Sequence, residues 1–555
     1  MDNSNFACEG SLQAVLGASV EVICDAGYSG GGTASCGSDG SFNSLPTCVA
    51  VSCASTEVTN SDYAATSSIS GSTGDTVLVT CDVGYEGGGN TTCRADAYGV
   101  SFTNSVSCLS RPLAASYQKI GEKTGYFSAF LDNSDYFGAS VAALGDVNGD
   151  SVTDLLAGAY GDDDGESSSG AVYVLFLETT GHVSSFQKIS ATAGSLTAAL
   201  AASDYFGFAV CELTGLNNDA YVDVAVGAYG DDDGGSSSGA VYILALTAAG
   251  EVHSFSKISS LVGSFTAVVT SSDYFGISVA SAGDLDGDSV TDLLVGASSD
   301  DNGYSNAGSL YILKLNSTGS SVSHRKISAT TGWFTALMGS SDYFGRSSCS
   351  IDDLNSDGNR ELVVGAPGNN DGGYDRGAVY VLWPMFRFTT FELYVLSQQK
   401  ISSSSGSFTG SLSDSDQFGV SNTFLGDLNG DGYSDIMTGA YGGDDVASAA
   451  GAVFVIFLTA TGCSLSHQKL SASAGGYTFD LSSSDYFGSS VSYLGDLNGD
   501  LIPDYAIGSY KDAIAGHYDT GSVYVVFGAG GEAFISLYVC MFVCLCVCVF
   551  CVVAV

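Results

Sequence analysis

The sequence predicts an all-β protein built around a β-propeller, and three observations predict it. Asp-Tyr-Phe-Gly, or a near copy, ends at Gly138, Gly207, Gly276, Gly345, Gly419 and Gly488, at intervals of 69 residues with one of 74. A repeat this long is one supersecondary unit that buries its core only by stacking on its neighbours. Glycine is abundant (73) and proline scarce (5), and Val, Tyr and Phe recur in short alternating runs without a long helical period. Each copy also holds four strand-like runs joined by short loops, which is the content of one propeller blade.

In the first copy the strands are Phe137–Leu144, Asp154–Tyr160, Gly170–Leu177 and Ser185–Ser190. The second is almost wholly apolar and is expected to be buried on both faces. The Phe-Gly pair supplies a side chain to wedge between blades and a glycine that permits close backbone approach. Lys119, Lys188, Lys257, Lys326, Lys400 and Lys469 sit at the centre of the fourth strand. Lysine on an outer edge discourages pairing with another molecule, and that is the role expected of them.

Strand counting bears on closure. A fourth-strand segment, Tyr117–Ile120, precedes the first Phe-Gly, and the sixth copy stops after its third strand, Gly521–Gly528. The early strand is therefore expected to complete the last blade. Six blades then balance, with seven as the rival count.

Five copies carry an acidic loop between the first and second strands. Oxygen side chains at positions 1, 3, 5 and 9, with a backbone carbonyl at 7, suit Ca²⁺, which takes oxygen ligands at about 2.3–2.6 Å. The sets are Asp146/Asn148/Asp150/Asp154, Asp284/Asp286/Asp288/Asp292, Asp353/Asn355/Asp357/Glu361, Asp427/Asn429/Asp431/Asp435 and Asp496/Asn498/Asp500/Asp504. Without a cation their carboxylates would repel one another, so about five structural Ca²⁺ are expected. The second copy departs from the pattern: Gly215 replaces the first ligand, leaving Asn217, Asp219 and Asp223.

Composition excludes other classes. Sixty acidic residues against sixteen basic ones give a formal charge of −44, leaving no basic stripe for nucleic acid. No catalytic constellation is present. His182, His253, His324 and His467 fall near one place in the repeat and are read as structural. Cys211 and Cys349, at equivalent places in two blades, are read as small buried hydrophobes.

Phe-Gly, then Asp-x-Asn-Gly-Asp-x-x-x-Asp, then Gly365-Ala366-Pro367 (Gly-Ala-Tyr at 158–160, 227–229 and 439–441) resembles the FG-GAP repeat of integrin α-subunit propellers over residues 117–528. The resemblance implies an extracellular adhesion or recognition role, with a protein or glycan ligand on the rim opposite the calcium loops. The Asp-rich loops 162–164, 231–233, 300–301 and 444–445 belong to that rim and are read as mostly solvated. Integrin α-subunits have seven such repeats and long β-sandwich domains after them. This chain shows six and nothing comparable, so pairing with an integrin β-subunit is not expected. The alternatives are a non-catalytic accessory propeller of a secreted, phospholipase-like enzyme, or a structural cell-surface or matrix component.

Two four-cysteine sets precede the propeller, in regions 1–51 and 52–110, each with Cys-x-x-Gly-Tyr at its second cysteine (Cys24–Tyr28, Cys81–Tyr85). Spacing alone allows three connectivities per set. The sets resemble sushi (complement control protein) modules, which implies the bridges Cys8–Cys36, Cys24–Cys48, Cys53–Cys93 and Cys81–Cys108. Phe42 and Phe102 stand where that family usually has a buried tryptophan, and the first module is shorter at its start. Modules this small depend on disulfides, hence an oxidising compartment. The first residues lack an apolar signal core, and an incomplete N-terminus is the expected reason. Asn90 and Asn316 are glycosylation acceptors.

The propeller is assigned to 113–530. Residues 534–555 run without a charge and are long enough to cross a bilayer as a helix, making a single-pass cell-surface anchor. The rival reading is a gene-model artefact, because Val-Cys-Leu-Cys-Val-Cys-Val is what a GT dinucleotide tract encodes. The expansion around Trp383–Leu396 is given the same origin.

Overall fold

The computed structural model describes residues 113–529, apart from 218, 335, 337, 388–391, 446, 477, 515 and 516, together with residue 70 and short strands between 19 and 110. The chain divides into two compact units, 1–111 and 112–555.

In the first unit the backbone pairing repeats itself. Ser19–Val22 pairs with Gly32–Ser35 and Tyr28–Gly30 with Cys48–Ala50. Thr76–Val79 then pairs with Gly89–Asp96, and Tyr85–Gly87 with Cys108–Ser110. Gly30 faces Cys48 in one copy and Gly87 faces Cys108 in the other, so both four-cysteine regions share one strand plan. Cys8, Cys24, Cys36, Cys53 and Cys81 lie outside the described residues, as do the side chains of Cys48, Cys93, Cys108 and Asn90. The 534–555 segment lies outside them too. Among the described residues no helix is long and apolar enough to cross a membrane.

The second unit holds six four-stranded antiparallel sheets. Five are each built from consecutive strands, the first from Phe137–Gly145, Asp154–Ala159, Ala171–Leu177 and Val183–Ser190. The sixth takes its outer strand, Ala114–Ile120, from the start of the unit and its other three, Phe487–Gly495, Asp504–Ser509 and Ser522–Gly528, from the end. Tyr117 faces Val526 and Lys119 faces Tyr524. The count is therefore six, and the early strand completes the last blade as the sequence predicts.

Second and third strands of the first blade are buried along their whole length, which explains their near-unbroken runs of Leu, Ala, Val and Tyr. The fourth strand buries only its ends. Apolar clusters form between blades as well as within them: Leu494, Leu497 and Val523 of the last blade share one with Phe137, Leu155 and Tyr173 of the first.

The Phe-Gly pair is the joint of the ring. Phe137, Phe206, Phe275, Phe344 and Phe418 are all fully buried, as is Phe487. Each makes a parallel bridge to a glycine of the preceding blade: Gly521, Gly170, Gly239, Gly308, Gly377 and Gly451. Gly138 has φ +81°, and a Cβ there would lie 2.4 Å from the Ser522 carbonyl oxygen. No side chain fits that approach.

The insertion in the fourth blade is an extended hairpin. Ala378–Arg387 pairs with Glu392–Ser402, with Met385 facing Tyr394. The pairing continues that of the blade, with a register shift between Trp383 and Pro384.

Candidate functional site

The acidic loops lie at the turn from first to second strand, on one rim. In the first loop, the Asp146 carboxylate accepts the backbone N–H groups of Gly149 (2.7 Å), Asp150 (2.9 Å) and Ser151 (2.7 Å), so position 1 shapes the turn. Asp154 at position 9 accepts from Val147 N–H at 3.0 Å and Leu177 N–H at 3.1 Å, tying the loop to the third strand. The same pair of bonds recurs at Asp292, Asp435 and Asp504. Glu361 keeps the bond to the loop, from Leu354 N–H at 2.7 Å. At position 3, Asn148, Asn355, Asn429 and Asn498 each donate to the carboxylate at position 5, at 2.9–3.0 Å.

Three carboxylate oxygens come within 4.8 Å of one another in two loops, Asp284/Asp286/Asp292 and Asp353/Asp357/Glu361. Asp146/Asn148/Asp150/Asp154, Asp427/Asn429/Asp431/Asp435 and Asp496/Asn498/Asp500/Asp504 share the loop's hydrogen bonds without that convergence. Their position-5 carboxylates are exposed and satisfied inside the turn. Asp500 accepts from the Asn498 amide at 3.0 Å and from Ile502 N–H at 2.8 Å, and Asp150 and Asp431 make the matching bonds.

Asp286 Oδ1 is buried and makes no hydrogen bond, although its side chain is only 5% exposed. Burial pushes the position-9 carboxyls up, Asp154 and Asp504 to about 6, Asp292 and Glu361 to about 7 and Asp435 to about 8. Neighbouring loop carboxylates add to each shift, Asp500 to that of Asp504 and Asp150 to that of Asp154. An oxygen-seeking divalent cation fits this donor set, since it would supply the positive charge these buried groups lack. In the second blade Asp223 is buried and likewise pushed up to about 6, while Asn217 accepts from Asp219 N–H at 3.0 Å.

The opposite rim differs from the sequence-based reading at two places. The six lysines are not free edge charges: each reaches inward to the loop between second and third strands of its own blade. Lys188 Nζ lies 2.6 Å from both Asp162 and Asp164, and Lys257 lies 2.6 Å from Asp231 and 2.8 Å from Asp233. Lys119 pairs with Asp512, Lys326 with Asp300, Lys400 with Asp371 and Lys469 with Asp445. Every lysine also faces an aromatic residue of the third strand, with Nζ 5.1–5.8 Å from the ring centroid. Second, the Asp-rich loops are not merely solvated, because Asp162, Asp231 and Asp300 are buried as the lysines' partners. The signal was present: 26 residues separate Asp162 from Lys188, Asp231 from Lys257 and Asp300 from Lys326.

The aspartate of each Asp-Tyr-Phe-Gly is a buried cap. Asp135 accepts from Asp132 N–H at 2.7 Å, Asp204 from Ala201 N–H at 2.7 Å and Asp485 from Ser482 N–H at 2.6 Å. The next residue stands in the left-handed region (Tyr136 φ 58°, Tyr205 φ 55°, Tyr274 φ 61°, Tyr486 φ 57°), a strained choice for tyrosine. These rings join those of tyrosines just past the second strands: Tyr136 stacks on Tyr160 of Gly-Ala-Tyr at 4.8 Å, and Tyr486 on Tyr510 of Gly508-Ser509-Tyr510 at 5.5 Å. Tyr160 is 6.4 Å from Tyr510, so the aromatic lining passes from first blade to last. The Arg346 guanidinium, from the fourth blade, lies 4.8 Å from the ring centroid of Phe208, in the second. Sequence reasoning missed this lining.

The histidines divide into two kinds, which corrects their single assignment. His182 and His253 stack on Tyr126 and Tyr221, while His324 and His467 pack on Phe265 and Phe408. Cys211, Cys349 and Cys463 are free thiols, and burial pushes the first two up to about 12. Asn316 Oδ1 accepts from Thr318 N–H (3.0 Å) and Oγ1 (2.7 Å) at a hairpin turn of the third blade.

The FG-GAP repeat profile matches residues 137–175, 275–313, 344–382 and 418–456. Among curated proteins, integrin alpha-2 of Bos taurus is 36% identical over 164 residues, 29% of this chain and 13% of the relative. Integrin alpha-5 of Xenopus laevis is 30% identical over 248 residues, 43% and 20% respectively. Integrin alpha-X of Homo sapiens is 44% identical over 95 residues, 17% and 8%. The similarity thus spans at most a fifth of the length of these relatives. The chain carries FG-GAP repeats folded into a six-bladed propeller, and over part of that propeller it is similar to integrin alpha subunits.

Proposed function

We propose that this is an extracellular calcium-binding adhesion or recognition protein whose propeller presents a ligand face to a protein or glycan. What carries the reading is the division of labour between the two rims. Acidic loops with cation-ready carboxylates occupy one rim, and tyrosine rings in contact from the fifth blade round to the third occupy the other, with strained backbone at Tyr136, Tyr205, Tyr274 and Tyr486 and with Arg346 beside Phe208. Backbone strain retained outside the packed core is a mark of function rather than of packing.

On this reading the residues that would hold Ca²⁺ are the five sets at Asp146–Asp154, Asp284–Asp292, Asp353–Glu361, Asp427–Asp435 and Asp496–Asp504. Bound calcium would brace the turns and supply no chemistry. The lysine–aspartate pairs anchor the loops of the ligand rim, so the recognition surface is held by each blade's own core. Cell-surface or extracellular placement agrees with the similarity to integrin alpha subunits.

The test is binding of the full-length chain to arrays of extracellular-matrix proteins and glycans, with calcium and with chelator. A ligand lost on Tyr160→Ala or Arg346→Ala, while the melting temperature holds, supports recognition through the tyrosine rim. Binding that survives both substitutions moves the ligand elsewhere. No ligand on either array favours the structural-component reading.

A further inference from the structure

The calcium loop of the third blade differs from the other four in a way that only the folded chain explains. It alone has aspartate, Asp286, at position 3, where the others have Asn148, Asn355, Asn429 and Asn498. The third strand of the same blade also differs. The residue next to its end is Phe176, Ala245, Trp383, Phe457 or Phe527 elsewhere, and Lys314 here. The two changes meet in space: Lys314 Nζ contacts Asp286 Oδ2 and lies 3.1 Å from Asp288 Oδ2.

Charge accounting gives the meeting a purpose. Four carboxylates less one ammonium leave three negative charges, as in each loop that has three carboxylates and an asparagine. Geometry agrees. In the other loops the asparagine amide donates to the position-5 carboxylate, and here the Lys314 ammonium makes that link. The second oxygen of Asp286 remains buried without a partner, and the carboxylates of Asp284, Asp286 and Asp292 each bring an oxygen within 4.8 Å of the others.

We propose that Lys314 is a tethered counter-ion of the third blade's calcium loop, holding one oxygen of Asp286 and leaving the other for the metal. The ammonium offsets repulsion among the carboxylates when no metal is bound, so this loop keeps its shape without calcium. The same charge opposes the incoming cation, so calcium binds here more weakly than it would to four uncompensated carboxylates. The inference rests on the calcium reading of the loops.

The experiment is a calorimetric calcium titration of the chelator-stripped full-length protein, alongside melting curves in chelator, for wild type, Lys314→Met and the double variant Asp286→Asn with Lys314→Phe. Methionine keeps the stem's length without the charge, and the double variant reproduces the Asn429 and Phe457 pairing of the fifth blade. The expected wild-type isotherm has no class set apart from the rest. Lys314→Met splits off one class tighter by about tenfold or more and lowers the metal-free melting temperature. The double variant makes all sites alike and recovers the metal-free stability. An isotherm and a metal-free melt both unchanged by Lys314→Met would overturn the proposal while leaving calcium binding intact. If no protein in the series binds calcium, the calcium reading fails and this inference falls with it.

Discussion

Ser490 donates its hydroxyl to the carbonyl oxygen of Gly138 at 2.9 Å, across 352 residues of chain. The bond joins the last blade to the first, and the same bond links other neighbours: Ser140 to Gly207, Ser278 to Gly345, Ser347 to Gly419 and Ser421 to Gly488, at 2.8–2.9 Å. The seam of the ring is thus built like its other joints. Chain crosses this joint as well, from Ile120 of the last sheet to Phe137 of the first, and the close approach of Ser522 makes Gly138 a sensitive probe.

Gly138→Ala should destabilise far more than Gly426→Ala. Both glycines have positive φ, 81° and 71°, but nothing lies within 4 Å of a Cβ at Gly426. The strained backbone costs about 1–2 kcal/mol in either case. At Gly138 the collision with Ser522 adds about 1–3 kcal/mol more. Urea unfolding of the two variants measures the gap, and equal midpoints would show that the seam yields.

Chelating calcium should lower the melting temperature by many degrees. Each site held at a hundredfold excess over its Kd adds about 2.7 kcal/mol of linked stability. Asp431→Ala should remove part of the calcium response, whereas Asn217→Ala, in the incomplete loop, should leave it intact. Scanning calorimetry with and without chelator reads both effects.

Lys326→Met should cost about 1–3 kcal/mol, because it leaves Asp300 buried and unpaired. That range sits below the cost of breaking a fully buried pair, since 18% of the lysine side chain still meets solvent. Adding Asp300→Asn should recover most of the loss, as no buried charge then remains. A denaturant titration of the single and double variants decides whether the pair is a structural tie.

In saturating calcium, stability should fall as pH rises from 5 to 8. Burial pushes Asp135 up to about 7, and Asp204 and Asp485 to about 6, above the unfolded range near 4. The native state therefore holds more protons than the unfolded chain in this window. Its advantage is complete below the unfolded value and disappears through the folded one. Thermal melts across the range should show the slope, and Asp135→Asn should flatten it.

The strands, the Phe-Gly joints and the closing role of Tyr117–Ile120 were legible because six copies in register turn local patterns into architecture. A Phe-Gly pair means little once, but six evenly spaced pairs fix which strand is innermost. The lysines show the limit. Lys188 was correctly placed on an outer strand, yet strand pattern does not tell whether a long side chain runs outward or folds back over Tyr173 to Asp162. Lys314 was less legible still, because it lies 28 residues from Asp286 and its position is apolar in the other blades. The tyrosine lining escaped notice for a related reason: Tyr136 and Tyr160 flank the paired Phe137 and Ala159 of one sheet, but Tyr160 meets Tyr205 and Tyr510 only where neighbouring blades come together.

The last sheet draws on both ends of its unit, which has a consequence for biosynthesis. Ala114–Ile120 leaves the ribosome early, but Ser522–Gly528, the strand it pairs with, is translated roughly four hundred residues later. Until then the nascent wheel has two raw flanks, an unfinished blade and a first blade without its neighbour. Premature termination anywhere before Gly528 should therefore send the product to chaperones and proteolysis, and only finished chains should accumulate.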